Sequence, residues 1–209
     1  MARPFLYAAV LAAACGLAAP GTPSWAQSGS AAARHEGALL HGPASGTLGN
    51  PKGDVTIIEF FDYACPFCKA VEPRLEAFLK ADKNTRLVVE EFPILTPQSA
   101  IASRAALAAT RQGKYAAFHQ ALMSHRGGLD EAAIFGVARD VGLDLARLRR
   151  DMADPRLEAA IEANLKLARA IGVQGTPTFI VDGRILTQPS ATISFPDLAA
   201  ASRRAHGRG

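Results

Sequence analysis

Two cysteines two residues apart, Cys65 and Cys68, stand where a strand-like run of this chain meets a helix-like one, and no other feature narrows the possible folds as far. Upstream, Val55-Thr56-Ile57-Ile58-Glu59-Phe60-Phe61 is β-branched and aromatic with almost no polar break, the pattern of a strand buried on both faces. Downstream, Pro66 suits the first turn of a helix, where its missing N–H would have no partner in any case. Phe67, Val71, Leu75, Phe78 and Leu79 then recur at helical spacing, and Pro73 predicts a kink among them. The cysteine pair is therefore expected at the N-terminus of a helix that leaves a buried strand.

That placement suits thiol–disulfide exchange. The reaction needs a thiolate near neutral pH, where a free thiol is mostly protonated. Unpaired N–H groups and the positive end of the helix dipole favour the anion at Cys65. Each pKa unit of depression corresponds to about 1.4 kcal/mol in favour of the thiolate. The same energy stabilises the reduced protein against its disulfide and so makes it a stronger oxidant. Cys68, one turn further on and less exposed, would resolve a mixed disulfide. Zinc is the competing use of a Cys-x-x-Cys pair, but His35, His41, His119, His125 and His206 lack the paired spacing of zinc ligands, so no metal is expected. A purely structural disulfide is a poor alternative, because so short a loop constrains an unfolded chain very little.

The rest of the chain alternates between strand and helix signals. A second strand is predicted at Arg86–Phe92. From Pro97 to Gly172 the pattern is helical, with Asp130, Asp144 and Asp154-Pro155 as caps and Gly172 as a stop. Strand character returns at Thr178–Val181, and Asp182-Gly183 predicts a tight hairpin to Arg184–Leu186. A helix from about Phe195 to His206, starting near Ser194, completes the order. With 209 residues this is an α/β layout of one domain, helices covering a small sheet.

The first 26 residues read as a secretory leader: Arg3, an apolar stretch from Phe5 to Leu17, the breakers Pro20, Gly21 and Pro23, and Ser24-Trp25-Ala26 before a predicted cleavage after Ala26. Removing it takes Cys15 and Arg3 and no acid, so the net charge falls from +4 to +3 and Cys65 and Cys68 are the remaining cysteines. The exported, periplasmic space this implies is oxidising. Residues 27–50, rich in Ser, Ala and Gly, are expected to be a flexible arm. The modest charge, without basic runs, gives no reason to expect nucleic acid.

Three segments resemble one family. Glu59-Phe60-Phe61-Asp62-Tyr63-Ala64-Cys65-Pro66-Phe67-Cys68 is similar to the active-site strand and helix of the DsbA-like thioredoxin superfamily. Gly175-Thr176-Pro177-Thr178-Phe179 resembles its cis-proline loop, and Phe92-Pro93-Ile94-Leu95 with the helices after it resembles its inserted helical domain. The likeness runs over roughly residues 47–205 and is closest to the Com1- and ScsC-like exported branch. It implies an α/β thioredoxin-like fold with a helical insertion at about 97–172. It also implies a thiol:disulfide oxidoreductase whose redox group is the Cys65–Cys68 disulfide, with no other cofactor.

The resemblance extends to individual positions. Pro177 would follow a cis bond opposite the cysteines, freeing the backbone of Thr176 to pair with a substrate peptide. Glu59 occupies the place of a buried acid that moves protons for the second cysteine; a water-facing strand-end carboxylate is the alternative. Phe67 stands where strongly oxidising relatives carry His, which tilts the expectation away from the strongest oxidase type. Partners would be cysteine-containing exported proteins and a membrane redox protein. The arm lacks the apolar stripe of a trimerisation stalk, so a monomer is expected. A reduced-state isomerase or reductase would use the same residues. A Cu(I)-holding role for the two soft thiolates ranks lower, because the chain has only three methionines.

Overall fold

The structure, a computed structural model, describes residues 31–186 and 190–207. The expected leader and its cleavage after Ala26 lie outside the described residues, as does part of the stretch between Leu186 and Phe195. The fold is built on five strands: β1 Ser45–Gly49, β2 Val55–Phe61, β3 Thr85–Glu91, β4 Thr178–Val181 and β5 Arg184–Ile185, in the order β1-β3-β2-β4-β5. The apolar run becomes the central strand β2, parallel to β3 and antiparallel to β4. Having neighbours on both edges and layers on both faces is what a continuous Val/Ile/Phe sequence requires.

Helices α1 Glu36–His41, α2 Pro66–Ala81, α3 Pro97–Ala109, α4 Tyr115–Ser124, α5 Glu131–Asp140, α6 Leu145–Met152, α7 Pro155–Ile171 and α8 Phe195–Ala205 surround the sheet. The caps are those the sequence announces. Asp130 accepts from the Ala133 N–H, Asp144 from that of Arg147 and Asp154 from that of Arg156, while Ser194 caps α8 and Gly172 ends α7 at a φ of 86°. The Asp182-Gly183 turn has positive φ at both residues, as a tight two-residue hairpin demands.

Strand alternation divides the core in two. On one face Ile57, Phe61, Leu87 and Val89 pack with Val71 and Leu75 of α2, and helices α3 to α6 extend this core outward. On the other face Ile58, Phe60, Val88 and Ile180 meet Leu39 of α1 and Ala168 and Ile171 of α7. Glu59 shares the first face and points towards α2.

The expectation of a flexible arm over 27–50 is corrected for its described part. Residues 31–34 are helical, α1 follows, and β1 forms the sheet edge against β3. Ala32 and Leu39 are buried in the second core, so the segment is held by burial and strand pairing rather than by any local pattern. Its glycines mask the strand: Gly46 is bare because the Tyr115 ring lies against it, and a Cβ there would come within 1.9 Å of Tyr115 Cε1. Tyr115 is buried and its hydroxyl is committed to Glu91 at 2.9 Å, so it has little room to move. Gly46→Ala is accordingly expected to lower the unfolding free energy by about 1–3 kcal/mol through overpacking. Urea denaturation would measure it, and an unchanged midpoint would show that the ring yields freely.

Candidate active site

Cys65 is the N-cap of α2 and Pro66 its first residue. The chain leaves β2 through Asp62-Tyr63-Ala64, and the Asp62 carboxylate, fully buried, holds that exit in place. Its Oδ1 accepts from the Ala64 N–H and the Ser99 hydroxyl, both at 2.7 Å. Its Oδ2 accepts from the N–H groups of Ile94 and Leu95 at 2.8 and 2.9 Å. A buried carboxylate is tolerable when charge-assisted bonds replace water in this way. One side chain thus ties the cysteine turn to the segment that leads into the helical block.

The two cysteines are free thiols here, both buried. The Cys68 N–H reaches Cys65 Sγ at 3.4 Å, and the Cys65 thiol donates to the carbonyl of Thr176 at 3.3 Å. Thr176–Pro177 is a cis peptide, so the loop singled out in the sequence faces the first cysteine. The environments of the two sulfurs differ sharply. The Cys65 thiol is lowered from an ordinary value of 9.0 to about 6, first by its hydrogen bond with the Cys68 side chain; the Thr176 side chain and the N–H groups of Cys68 and Phe67 add to this against the opposing effect of burial. Burial, the bond to Cys65 and the negative charges of Glu59 and Cys65 push the Cys68 thiol far above the usual range. Phe67 contributes its backbone N–H alone; its ring is 67% exposed.

Glu59 is fully buried, and neither carboxylate oxygen has a hydrogen-bond partner among the described residues. The water-facing alternative is thereby excluded. Burial raises its pKa well above the carboxylate range, with the charges of Glu72 and Cys65 acting in the same direction. Glu72 was not singled out in the sequence. It is buried, its pKa is raised by burial and then by Glu76, and its Oε2 is unpartnered. The available signal was its position four residues after Cys68, an acid among the apolar positions Val71 and Leu75 of one helical face. A second buried polar cluster was likewise not anticipated: the Tyr63 hydroxyl lies 3.1 Å from both Glu91 Oε1 and His119 Nδ1, and Tyr115 shares the same Glu91 oxygen.

A sheet with a Cys-x-x-Cys pair at the N-terminus of the helix leaving its central strand, faced by a cis-proline loop, defines the thioredoxin class of fold. The family model of the DSBA-like thioredoxin domain matches residues 56–198, and the chain belongs to that family. The structure superposes on a thioredoxin-like oxidoreductase from Silicibacter pomeroyi with a TM-score of 0.74 and 42% identity, covering 82% of this chain and 98% of that one. On the catalytic domain of Proteus mirabilis ScsC the TM-score is 0.73 at 26% identity, covering 84% and 97%. A thiol:disulfide interchange protein DsbA of Bordetella parapertussis is 29% identical over 144 residues, 66% of this chain and 68% of that protein. Part of a Na(+)/H(+) antiporter NhaA 1 of Salinispora arenicola is 36% identical over 138 residues, 65% of this chain and 21% of the antiporter. The chain thus spans about a fifth of the length of the curated antiporters it matches. Among the described residues no helix is long and apolar enough to cross a membrane.

The asymmetry of the two thiols has a direct readout. Of the Cys65–Cys68 pair in the reduced protein, Cys65 is expected to be the one that reacts with iodoacetamide, at a rate that rises with pH around a midpoint near 6. Because the folded pKa lies below that of the unfolded thiol, ionised Cys65 stabilises the reduced fold fully above about pH 9. That contribution falls away as the pH drops through 6. A midpoint near the ordinary thiol value would contradict the assignment.

Proposed function

We propose that this chain is an exported thiol:disulfide oxidoreductase that works through a mixed disulfide on Cys65. The observation that carries the proposal is the different setting of the two sulfurs: Cys65 caps α2 and faces the cis Thr176–Pro177 peptide, whereas Cys68 is buried near Glu59. These settings lower the first thiol to about 6 and raise the second. In the oxidised protein a substrate thiolate attacks Cys65 Sγ. The Cys65–Cys68 bond breaks, a substrate–Cys65 bond forms, and the electron pair departs on Cys68. A second substrate thiolate then attacks the substrate sulfur and expels Cys65, a good leaving group because its thiolate is stabilised. Two electrons pass to the protein, leaving a dithiol, and the substrate gains a disulfide.

Cys68 is basic as a thiolate and needs a proton when it leaves. Glu59 is buried beside it, and burial, then the charges of Glu72 on α2 and of Cys65, raise its pKa well above the carboxylate range and favour its protonated form. Glu59 is therefore the proton donor, with Glu72 next on the way outward. Thr176 and Pro177 present backbone beside Cys65, where an extended substrate segment can pair. Cysteine-containing exported proteins as substrates, a membrane partner that resets the disulfide, a periplasmic location and a monomeric state complete the proposal. Leader-like residues 1–26 and the resemblance to DsbA and ScsC proteins support it.

The test is trapping. Cys68→Ser is expected to accumulate a mixed disulfide with a reduced cysteinyl protein, visible on a non-reducing gel, and Cys65→Ser to form none. Adduct on Cys65→Ser and none on Cys68→Ser would overturn the assignment. Separately, Glu59→Gln is expected to slow mixed-disulfide formation by oxidised protein at neutral pH by roughly 100-fold, the lower part of what proton transfer from a placed side chain supplies. An unchanged rate would remove Glu59 from the mechanism.

A further inference from the structure

A groove of about 510 Å³ opens beside the cysteine pair. Ala64, Pro66 and Lys69 line it on the side of the active-site turn; Thr96, Gln98 and the loop from His125 to Asp130 line it on the side of the helical block. Lys69 follows Cys68 directly, and its Nζ donates to the carbonyls of Leu122 and His125 at 2.8 Å each, at the C-terminal end of α4. Those two bonds hold its ammonium in place. Burial lowers the Lys69 pKa, and the nearby positive charge of Arg126 lowers it further.

Arg126 is exposed, and among the described residues its guanidinium has no hydrogen bond or ion pair. Other arginines of the helical block are engaged: Arg111 with Asp151 and Asp154, Arg104 with Glu158, and Arg149 over the Phe135 ring. The acid on the groove, Asp130, turns one oxygen to the N-terminus of α5, where Oδ1 accepts from the Ala133 N–H at 2.8 Å. Beyond Arg126 the wall is open, since a Cβ on Gly128 would meet no atom within 4 Å. Exposed apolar side chains adjoin the groove along the chain: Phe67 beside Pro66, and Ile94 and Leu95 before Thr96.

We infer that this groove receives an acidic side chain of the substrate polypeptide, close in sequence to the cysteine that reacts at Cys65. The inference rests on thiol exchange at Cys65 and adds the class of substrate. Lys69 supplies a positive charge held by two carbonyls, and exposed Arg126 supplies a planar donor suited to a carboxylate. The apolar rim accommodates the substrate's neighbouring residues. Attraction at a partly solvated site acts on encounter and selection and is weakened by salt.

The test uses oxidised protein and reduced peptides with two cysteines, identical except for Asp, Asn or Lys beside the first cysteine; chromatography follows conversion to the peptide disulfide. Each turnover moves two electrons and two protons from the peptide dithiol to Cys65–Cys68. At low ionic strength the Asp peptide is expected to react about three- to fivefold faster than the Asn peptide, the scale of an exposed ion pair, and the Lys peptide more slowly. The preference disappears in Arg126→Gln, reverses in Arg126→Glu, and fades at about 1 M salt, where the screening length is about 3 Å. Equal rates for the three peptides, or an unchanged Asp preference in both Arg126 variants, would overturn the inference. Oxidation of dithiothreitol in parallel separates the two levels. Its failure would overturn thiol exchange itself, whereas normal oxidation without peptide discrimination would overturn the groove assignment alone.

Discussion

A sulfur at the first turn of a helix meets backbone N–H groups that the helix itself cannot satisfy. Cys65 is in that position as the N-cap of α2, and with the Cys68 side chain and Thr176 those groups lower its pKa to about 6. Holding the sulfur there takes several parts of the fold at once. β2 must end at Phe61, Pro66 must begin the helix, and the Asp62 carboxylate must hold the turn between them against the segment at 94–95. The cis-proline loop then closes the opposite side.

The second constraint is burial without compensation. Glu59 lies in the central strand between Val89 and Phe179, and among the described residues no donor reaches its carboxyl group. A carboxyl in that setting favours its protonated form. Cys68 and Glu72 sit on the face of α2 that packs over it, and their pKa values are raised in the same direction. The same sheet-and-helix packing that makes the core thus raises the pKa of three groups beneath the one sulfur whose pKa is lowered. Stability is spent at a site of this kind; the polar cluster of Tyr63, Glu91, Tyr115 and His119, by contrast, is largely hydrogen-bonded and joins β3 to α4.

How much of this was legible in the sequence follows from how local each signal is. β2, the start of α2, the aspartate caps and the Asp182-Gly183 turn are written in a few consecutive residues, and the structure has them at the expected places. Cys65, Cys68, Pro66, Thr176 and Pro177 were legible as motifs, and the fold brings the two cysteines and the proline loop together. β1 was not legible, because Ser45-Gly46-Thr47-Leu48-Gly49 has weak strand character and exists by pairing with β3 and by making room for Tyr115. Glu72, Asp62 and the Glu91 cluster were also missed. Each is an ordinary acid in sequence and becomes distinctive only when the fold removes its water. Lys69 and Arg126 face one groove from elements 57 residues apart, a proximity no local pattern encodes.

The measurement that tests the account most directly is the equilibrium reduction potential of the purified protein against glutathione, with Cys65→Ser as the control. Thioredoxin, with its reactive cysteine near pKa 7, lies at about −270 mV, and strongly oxidising DsbA, near pKa 3.5, at about −120 mV. A Cys65 pKa of about 6 places this protein between those two values. A reversible two-electron couple in that interval, absent in Cys65→Ser, is the predicted result. A potential at or below that of thioredoxin would mean the thiolate is not stabilised as described, and the absence of any reversible couple would contradict thiol exchange at this site.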